Sequence, residues 1–244
     1  MKVVIMIPTY NEKENITKLL RELSAQSFEI LIVDDLSPDG TADVVKAFQK
    51  KHSNIHLLSH RKEGLGKAMI RGYKYALQKF NPDVIVTNEA DFGFSFRHLP
   101  KMLAKIKDGY DVVVTSRHVG NGRSEGWTVS RRLNHFLANT FFAGWVAGVD
   151  AVKDRNGAMR AVRVKGVLDK LDFNRFPTRG FAFFFFQIYK LSKITDKFYE
   201  IPSVFRFRSR GESKVSFNPK YFRTYLADIL EYIRLAFAIR LGYY

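Results

Sequence analysis

Short β-branched runs alternate with helical patterns through the first half of this chain, and that alternation leaves few folds open. Lys2–Ile7, Ile30–Val33, Ile55–Leu58, Val84–Thr87 and Val112–Thr115 each read as a buried strand. Helical spacing fills the intervals, at about 13–25, 41–51, 64–80 and 97–108. Strands that alternate with helices at this spacing predict an α/β fold, a largely parallel central sheet with helices on both faces. In such sheets ligands bind beyond the carboxyl ends of the strands. The chemistry is therefore sought in the residues that follow each strand.

Those residues are polar. The first strand runs into Pro8-Thr9-Tyr10-Asn11-Glu12, the second into Asp34-Asp35 and then Ser37-Pro38-Asp39-Gly40. The fourth runs into Asn88-Glu89-Ala90-Asp91, the fifth into Ser116-Arg117. Taken singly, each cluster is also ordinary turn chemistry, since Asn, Asp, Pro and Gly favour turns. Together they converge on one sheet edge. Glu89 and Asp91 are the sharper signal. Two carboxylates beyond a buried strand of a basic protein are costly unless a cation neutralises them. A hard divalent ion with oxygen ligands, Mg²⁺ or Mn²⁺, suits the pair and would in turn hold a diphosphate; a solvated turn is the bland alternative. Asp34 and Asp35 allow two readings, hydrogen bonding to a nucleobase or ribose and capping of the following turn. The two are compatible, with Asp35 binding and Asp39 structural.

Composition narrows the classes. The chain has 244 residues, with 40 Lys and Arg against 24 Asp and Glu, a net charge of +16. So strong an excess predicts a polyanionic partner: nucleic acid, an anionic membrane surface or a phosphorylated substrate. The absence of cysteine excludes a disulfide scaffold, a thiolate zinc site and a Cys nucleophile. The first residues do not read as a signal peptide. No stretch approaches a membrane span, and the most apolar run, Phe181 to Ile188, is far too short. The six His show no metal-protease spacing, and no G-x-S-x-G elbow appears. Gly64-Leu65-Gly66-Lys67 lacks phosphate-loop spacing and reads as a helix start. Asn15-Ile16-Thr17 reads as a chance glycosylation sequon.

The second half is less regular. Trp127 to Val146 reads as one helix, started by Thr128 or Ser130. A basic stretch with Lys153, Arg155, Arg160, Arg163 and Lys165 follows, then a Phe-rich helix near 181–193 and a strand near 199–207. Arg208 to Lys214 contains Gly211 and reads as a mobile loop able to close over a substrate. The tail, with apolar residues at 222, 225, 226, 229, 230, 233 and 237, is an amphipathic helix. Its apolar face suits either the protein's own core or a membrane interface.

The motif order is similar to that of a known family. PTYNE, ILIVDDLSPDGTAD, GLGKAM with RGYKYA, the EAD cluster, DVVVTSRHV, and EIP-VF-FRSRGESKV resemble family-2 glycosyltransferases of the Rossmann-like GT-A fold, and most closely dolichyl-phosphate mannose synthases. The resemblance covers residues 1–217, which implies a catalytic domain there and an amphipathic helix at 218–244. It implies an inverting transfer of mannose from GDP-mannose to the phosphate of dolichol or another polyprenol. By matching motif, Pro8, Tyr10, Glu12, Val33 and Asp35 would hold the nucleotide. Glu89, Ala90 and Asp91 would hold the diphosphate, with Asp91 the main metal ligand and Glu89 its helper. Arg117, Arg131, Arg208 and Lys214 would serve the phosphates and the closing loop. The family's usual Asp-Ala-Asp is Glu89-Ala90-Asp91 here, and the metal-binding Gln of close relatives is Gly93.

The implied chemistry explains why no catalytic triad is found. A phosphate monoester has a second pKa near ~6, so the acceptor is already anionic at neutral pH and needs no general base. Rival expectations are a related transferase using UDP-glucose or another lipid phosphate, a nucleotide-sugar-binding protein without activity, and a basic nucleic-acid-binding protein. The paired acids at the strand ends argue against the last. The expected location is the cytoplasmic face of a membrane, as a peripheral protein or as the catalytic piece of an anchored one.

Overall fold

The computed structural model describes residues 1–206 and 222–244. Seven strands form the main sheet: β1 (Val3–Thr9), β2 (Glu29–Asp34), β3 (Ile55–Ser59), β4 (Val84–Thr87), β5 (Val112–Ser116), β7 (Arg160–Arg163) and β8 (Phe198–Pro202). Their order is β3-β2-β1-β4-β7-β5-β8. All neighbours are parallel except β7, which lies antiparallel between β4 and β5. A two-stranded parallel ribbon of β6 (Arg123–Glu125) and β9 (Val204–Arg206) stands apart. The α/β class and the largely parallel sheet agree with the sequence pattern.

Alternation in the strands builds a core on each face. Val4 and Met6 of β1, with Leu31 and Val33 of β2, point toward one core. Val3, Ile5 and Ile7, with Ile30 and Ile32, point toward the other. The second core is closed by α1 (Lys13–Leu23), α2 (Thr41–Gln49) and α4 (Leu99–Lys107). The first is closed by α3 (Leu65–Phe80), α6 (Ala182–Ser192) and α7 (Phe222–Arg240). Phe183, Phe184, Phe185 and Phe186 are all buried there, which accounts for the Phe-rich run as core. α3 crosses β1 and β2 at Gly72, where a Cβ would stand 2.4 Å from Met6 Sδ and 2.9 Å from Val33 Cγ2.

Three departures from the sequence pattern have physical causes. The basic stretch after Val152 contains β7, and Arg160 within it is fully buried. Its guanidinium is satisfied by carbonyls of Arg155, Gly157 and Phe184 and by Gln187 Oε1, so charge here does not mean surface. The single strand expected near 199–207 divides into β8 and β9 around Ser203. The helix expected from Trp127 to Val146 starts as α5 (Val129–Phe136), capped by Thr128, whose hydroxyl accepts from Arg131 N. It continues in wider π winding over Leu137–Val146. No helix among the described residues is long and apolar enough to cross a membrane.

Candidate active site

Strand order places a crevice between β1 and β4, because β2 and β3 extend to one side of β1 while β4 begins the other. Three strand ends open on this crevice, and each is followed by a left-handed non-glycine residue. Asn11 follows β1 (φ 55°), Leu36 follows β2 (φ 48°) and Phe92 follows β4 (φ 58°). Such backbone is unfavourable for Leu and Phe, by about 1 kcal/mol or more each, and persists where the surroundings demand it. Here the turns fold back just beyond Tyr10, Asp35 and Asp91.

The crevice is a cavity of about 340 Å³. Pro8, Tyr10, Glu12, Asp35, Glu89, Ala90, Asp91 and Arg131 line it together. Val33 does not. It is a core residue beneath Gly72. The acidic pair at the end of β2 divides its work. Asp34 is buried and accepts from Thr9 Oγ1 at 2.9 Å, Ser37 N at 2.9 Å and Ser37 Oγ at 2.6 Å, so it braces the turn. Asp35 faces the cleft. Asp39 accepts from Lys13 N at 3.0 Å and from Thr41 N and Oγ1, and so ties the starts of α1 and α2 together. Its carboxyl lies below the usual range because those hydrogen bonds outweigh its partial burial.

Asp91 is buried to 8% exposure and accepts from Gly93 N at 2.9 Å with Oδ1. A Cβ on Gly93 would lie 2.3 Å from the Phe205 ring, so an aromatic occupies the space a longer side chain would need. The donor set at this point is therefore oxygen from Glu89 and Asp91. Carboxylate oxygens are hard donors, the type that Mg²⁺ or Mn²⁺ would require.

Arg117 is placed differently from a surface clamp. Its Nε and Nη2 each donate to buried Asp154 at 2.7 Å, and its backbone N donates to the same carboxylate at 2.9 Å. The guanidinium is 5.3–5.5 Å from the ring centres of Phe94, Trp127 and Phe205. Burial opposes ionisation of Asp154, but the Arg117 pair outweighs it and holds the carboxyl well below its ordinary value. Beside this pair, His118 and His135 meet Nε2 to Nε2 at 2.8 Å. Burial, with Arg117 next, pushes His135 down to about 3. His118, His135 and Asp154 could present three metal ligands within 4.8 Å, but their polar atoms already serve each other and Arg117. Arg208 and Lys214 lie outside the described residues.

A second cavity, of about 240 Å³, adjoins the first. Trp127, Leu137, Phe142, Phe184, Ile229 and Ile233 give it apolar walls. Glu89, Arg131, Phe181, Phe205 and Asp228 line both cavities, so the acid-lined cleft and the apolar groove meet at Glu89 and Arg131.

Several lining residues escape a motif reading. Lys62 sits over the Tyr10 ring at 3.5 Å. Asp228 and Glu231 enter from α7. Glu231 accepts from the backbone N of Arg179 and Gly180 at 2.9–3.1 Å, just before α6. Asp228 crowds Gly180, where a Cβ would stand 1.8 Å from Oδ1. Burial, with Glu231 next, pushes the Asp228 carboxyl up to about 7. The only hint in the sequence is an acidic pair at i, i+3 on an otherwise apolar and basic helix.

Residues 4–169 match the family model described as glycosyl transferase family 2. The chain belongs to glycosyltransferase family 2. It is therefore an enzyme that transfers a sugar. An undecaprenyl-phosphate mannosyltransferase of Micrococcus luteus is 31% identical over 220 residues, 88% of each chain. A dolichol-phosphate mannosyltransferase of Pyrococcus furiosus is 33% identical over 88% of this chain, which spans 59% of that relative's length. Among solved structures, mannosyl-3-phosphoglycerate synthase from Rubrobacter xylanophilus superposes with a TM-score of 0.64 at 16% identity, over 96% of this chain and 73% of that one. A Pyrobaculum calidifontis mannosyltransferase in complex with GDP-Man and Mn²⁺ superposes at 0.54 with 14% identity, over 99% of this chain and 73% of that one. These likenesses establish the shared GT-A fold.

Proposed function

We propose that this family-2 transferase moves mannose from GDP-mannose to the phosphate of a polyprenol such as dolichol, with inversion at the sugar carbon. The observation that carries the reading is the junction at Glu89 and Arg131, where the acid-lined cleft meets the apolar groove, a shape that suits a polar nucleotide beside an apolar chain. The relatives named for undecaprenyl- and dolichol-phosphate mannose transfer support the acceptor class. Asp35, Tyr10, Pro8 and Glu12 bind the nucleoside. The acceptor phosphate, already ionised, attacks the sugar carbon as the bond to the diphosphate breaks. Arg131, which lines both cavities, holds the incoming phosphate in line, with Arg117 fixing the aromatic wall beside it. Glu89 and Asp91 would hold a divalent ion, which when bound offsets the charge of the departing diphosphate. No residue is needed to remove a proton from the acceptor.

The same reading places the protein at a membrane surface. Val129, Leu133, Phe136 and Trp145 are exposed along α5 and its continuation, as are Leu226, Leu230 and Phe237 along α7 and Leu241 just beyond it. A basic protein with these apolar faces beside the acceptor groove suits the cytoplasmic interface of an anionic bilayer.

The test is transfer of labelled mannose from GDP-mannose to a short polyprenyl phosphate, with UDP-glucose as competitor and with Mn²⁺ added or chelated. Metal-dependent lipid-linked mannose is expected. Asp91→Ala should lower turnover on the order of 100-fold or more. Product from UDP-glucose alone would overturn the donor, and full metal-dependent turnover in Asp91→Ala would overturn its role.

A further inference from the structure

Glu89, Arg131, Phe181, Phe205 and Asp228 line both the acid-lined cleft and the apolar groove. The proposed transfer gives work to the first two and none to Asp228. Yet the position is unfavourable for an acid. Asp228 lies three positions before Glu231 on α7, so the two carboxylates share one side of the helix. Burial opposes its ionisation, and the like charge of Glu231 adds to that. Among the described residues it has neither a hydrogen bond nor an ion pair.

The surroundings nevertheless fix it in place. Glu231 uses both oxygens to accept from the backbone N of Arg179 and Gly180, which fastens α7 to the turn before α6. Gly180 has no side chain, and Asp228 Oδ1 takes up the room, since a Cβ there would stand 1.8 Å from it. An acid set firmly in a cleft wall, half-buried and without a partner in the chain, is a group for a ligand to satisfy.

The place of Asp228 between the cavities indicates which ligand group that is. In the proposed transfer the diphosphate lies by Glu89 and Asp91, and the acceptor phosphate at Arg131. An inverting displacement needs the sugar carbon between the attacking and departing oxygens. The hexose therefore occupies the junction that Asp228 lines. A hexose offers C–H groups on its faces and hydroxyl donors around its rim. Phe181 and Phe205 suit the faces. Asp228 suits the hydroxyls, because a carboxylate accepts from two neighbouring donors, and the protonated acid accepts from one and donates to the other.

We propose that Asp228 is a donor-sugar-binding residue, whose carboxyl engages two neighbouring hydroxyls of the hexose at the junction of the two cavities. This role deepens the proposed transfer and rests on its placement of the diphosphate and the acceptor phosphate. In this role Asp228 touches neither the nucleotide nor the metal, so the effect of its loss is confined to the sugar. The position gives up stability for binding, as sites built for a ligand do.

Calorimetry with GDP, GDP-mannose, UDP and UDP-glucose, each with Mg²⁺, on the wild type, Asp228→Ala and Asp228→Asn, tests this role. The quantity read is the affinity for a nucleotide sugar divided by that for its nucleotide. Asp228→Ala should bind GDP within about twofold of wild type and lose about tenfold or more for GDP-mannose. Asp228→Asn, which keeps the shape and one acceptor oxygen, should lose less, and its Tm at pH 8 should be no lower than that of wild type. An unchanged ratio in Asp228→Ala overturns the role and leaves the donor reading standing. Equal losses for GDP and GDP-mannose overturn it too, since they would mark a nucleotide contact, a metal ligand or a folding defect. If only the uridine pair binds, GDP-mannose falls as the donor, and Asp228 stands or falls on the ratio of UDP-glucose to UDP. If neither pair binds the wild type, both readings fall.

Discussion

At the scale of single residues, the outcome at Arg117 shows how burial reassigns a charge. A strand-end Arg in a basic chain reads as a phosphate ligand. In the fold its Nε and Nη2 are bound to Asp154, which sits 37 positions away. Nothing local to Ser116-Arg117 announces that partner. Asp154→Asn would leave the guanidinium buried without its carboxylate and should cost about 3–5 kcal/mol, read as a lower Tm. Because the folded carboxyl titrates below its unfolded value, its stabilisation is present above the ordinary Asp range near pH ~4. It is lost as pH falls through the folded value, so the gap between wild type and variant should close in acid. His135 acts in the same direction. The unfolded ring takes a proton near 6.5 and the folded one only near 3, so stability declines as pH drops between those values. Glu89, Asp91 and Asp35 were more legible, because strand ends that carry carboxylates are few and all three face one crevice.

At the scale of elements, α7 departs most from a reading by periodicity. Its apolar spacing is plain, but spacing does not tell which face meets what. Tyr225, Tyr232, Leu235, Ala236 and Ile239 enter the core, while Leu226, Leu230 and Phe237 stay exposed. The helix serves its own protein on one side and leaves an apolar face on the other. Its acids then reach the cleft. Asp228 is an acid whose folded pKa is raised, so its ionisation opposes folding. Its contribution is fully present below the unfolded pKa and is lost as pH rises through about 7. Asp228→Asn should therefore stabilise the protein at pH 8 by something of order 1 kcal/mol after solvent screening, and by nothing near pH 4. Thermal melts at both pH values check this. β7 was illegible for a related reason. Its four residues include two Arg, and only the carbonyls and Gln187 around Arg160 make that pattern compatible with a central strand. The boundary expected at 217/218 falls outside the described residues.

At the scale of the whole molecule, net charge and exposed apolar residues act together. On the proposed membrane reading, the charge of +16 would draw the protein to anionic surfaces over about a Debye length, and the exposed apolar residues of α5 and α7 would act only on contact. Co-flotation with anionic vesicles should accordingly be strong at low salt and fall several-fold by 0.5 M. Leu230→Asp should weaken it at every salt concentration. Binding that ignores both salt and Leu230 would exclude this mode of attachment. Most of the architecture was readable at this scale, since five strands and four helices of the first half follow from alternation alone. The position of β7 was not, because it depends on a pairing between segments far apart in the chain.

That pairing has a consequence for synthesis. Strands β4 and β5 are neighbours in sequence, yet neither can pair with the other, since residues 160–163 must lie between them. A growing chain that has emerged only as far as Ser116 presents two open edges in mid-sheet, each with unmet backbone groups. The sheet closes only when a segment more than 40 residues downstream arrives. Contacts of that separation are slow to form, so the interval is one in which the half-made protein is open to aggregation and to chaperones. Completion of the central sheet thus waits on residues 160–163, and then on β8, long after the strands that come first in the chain are made.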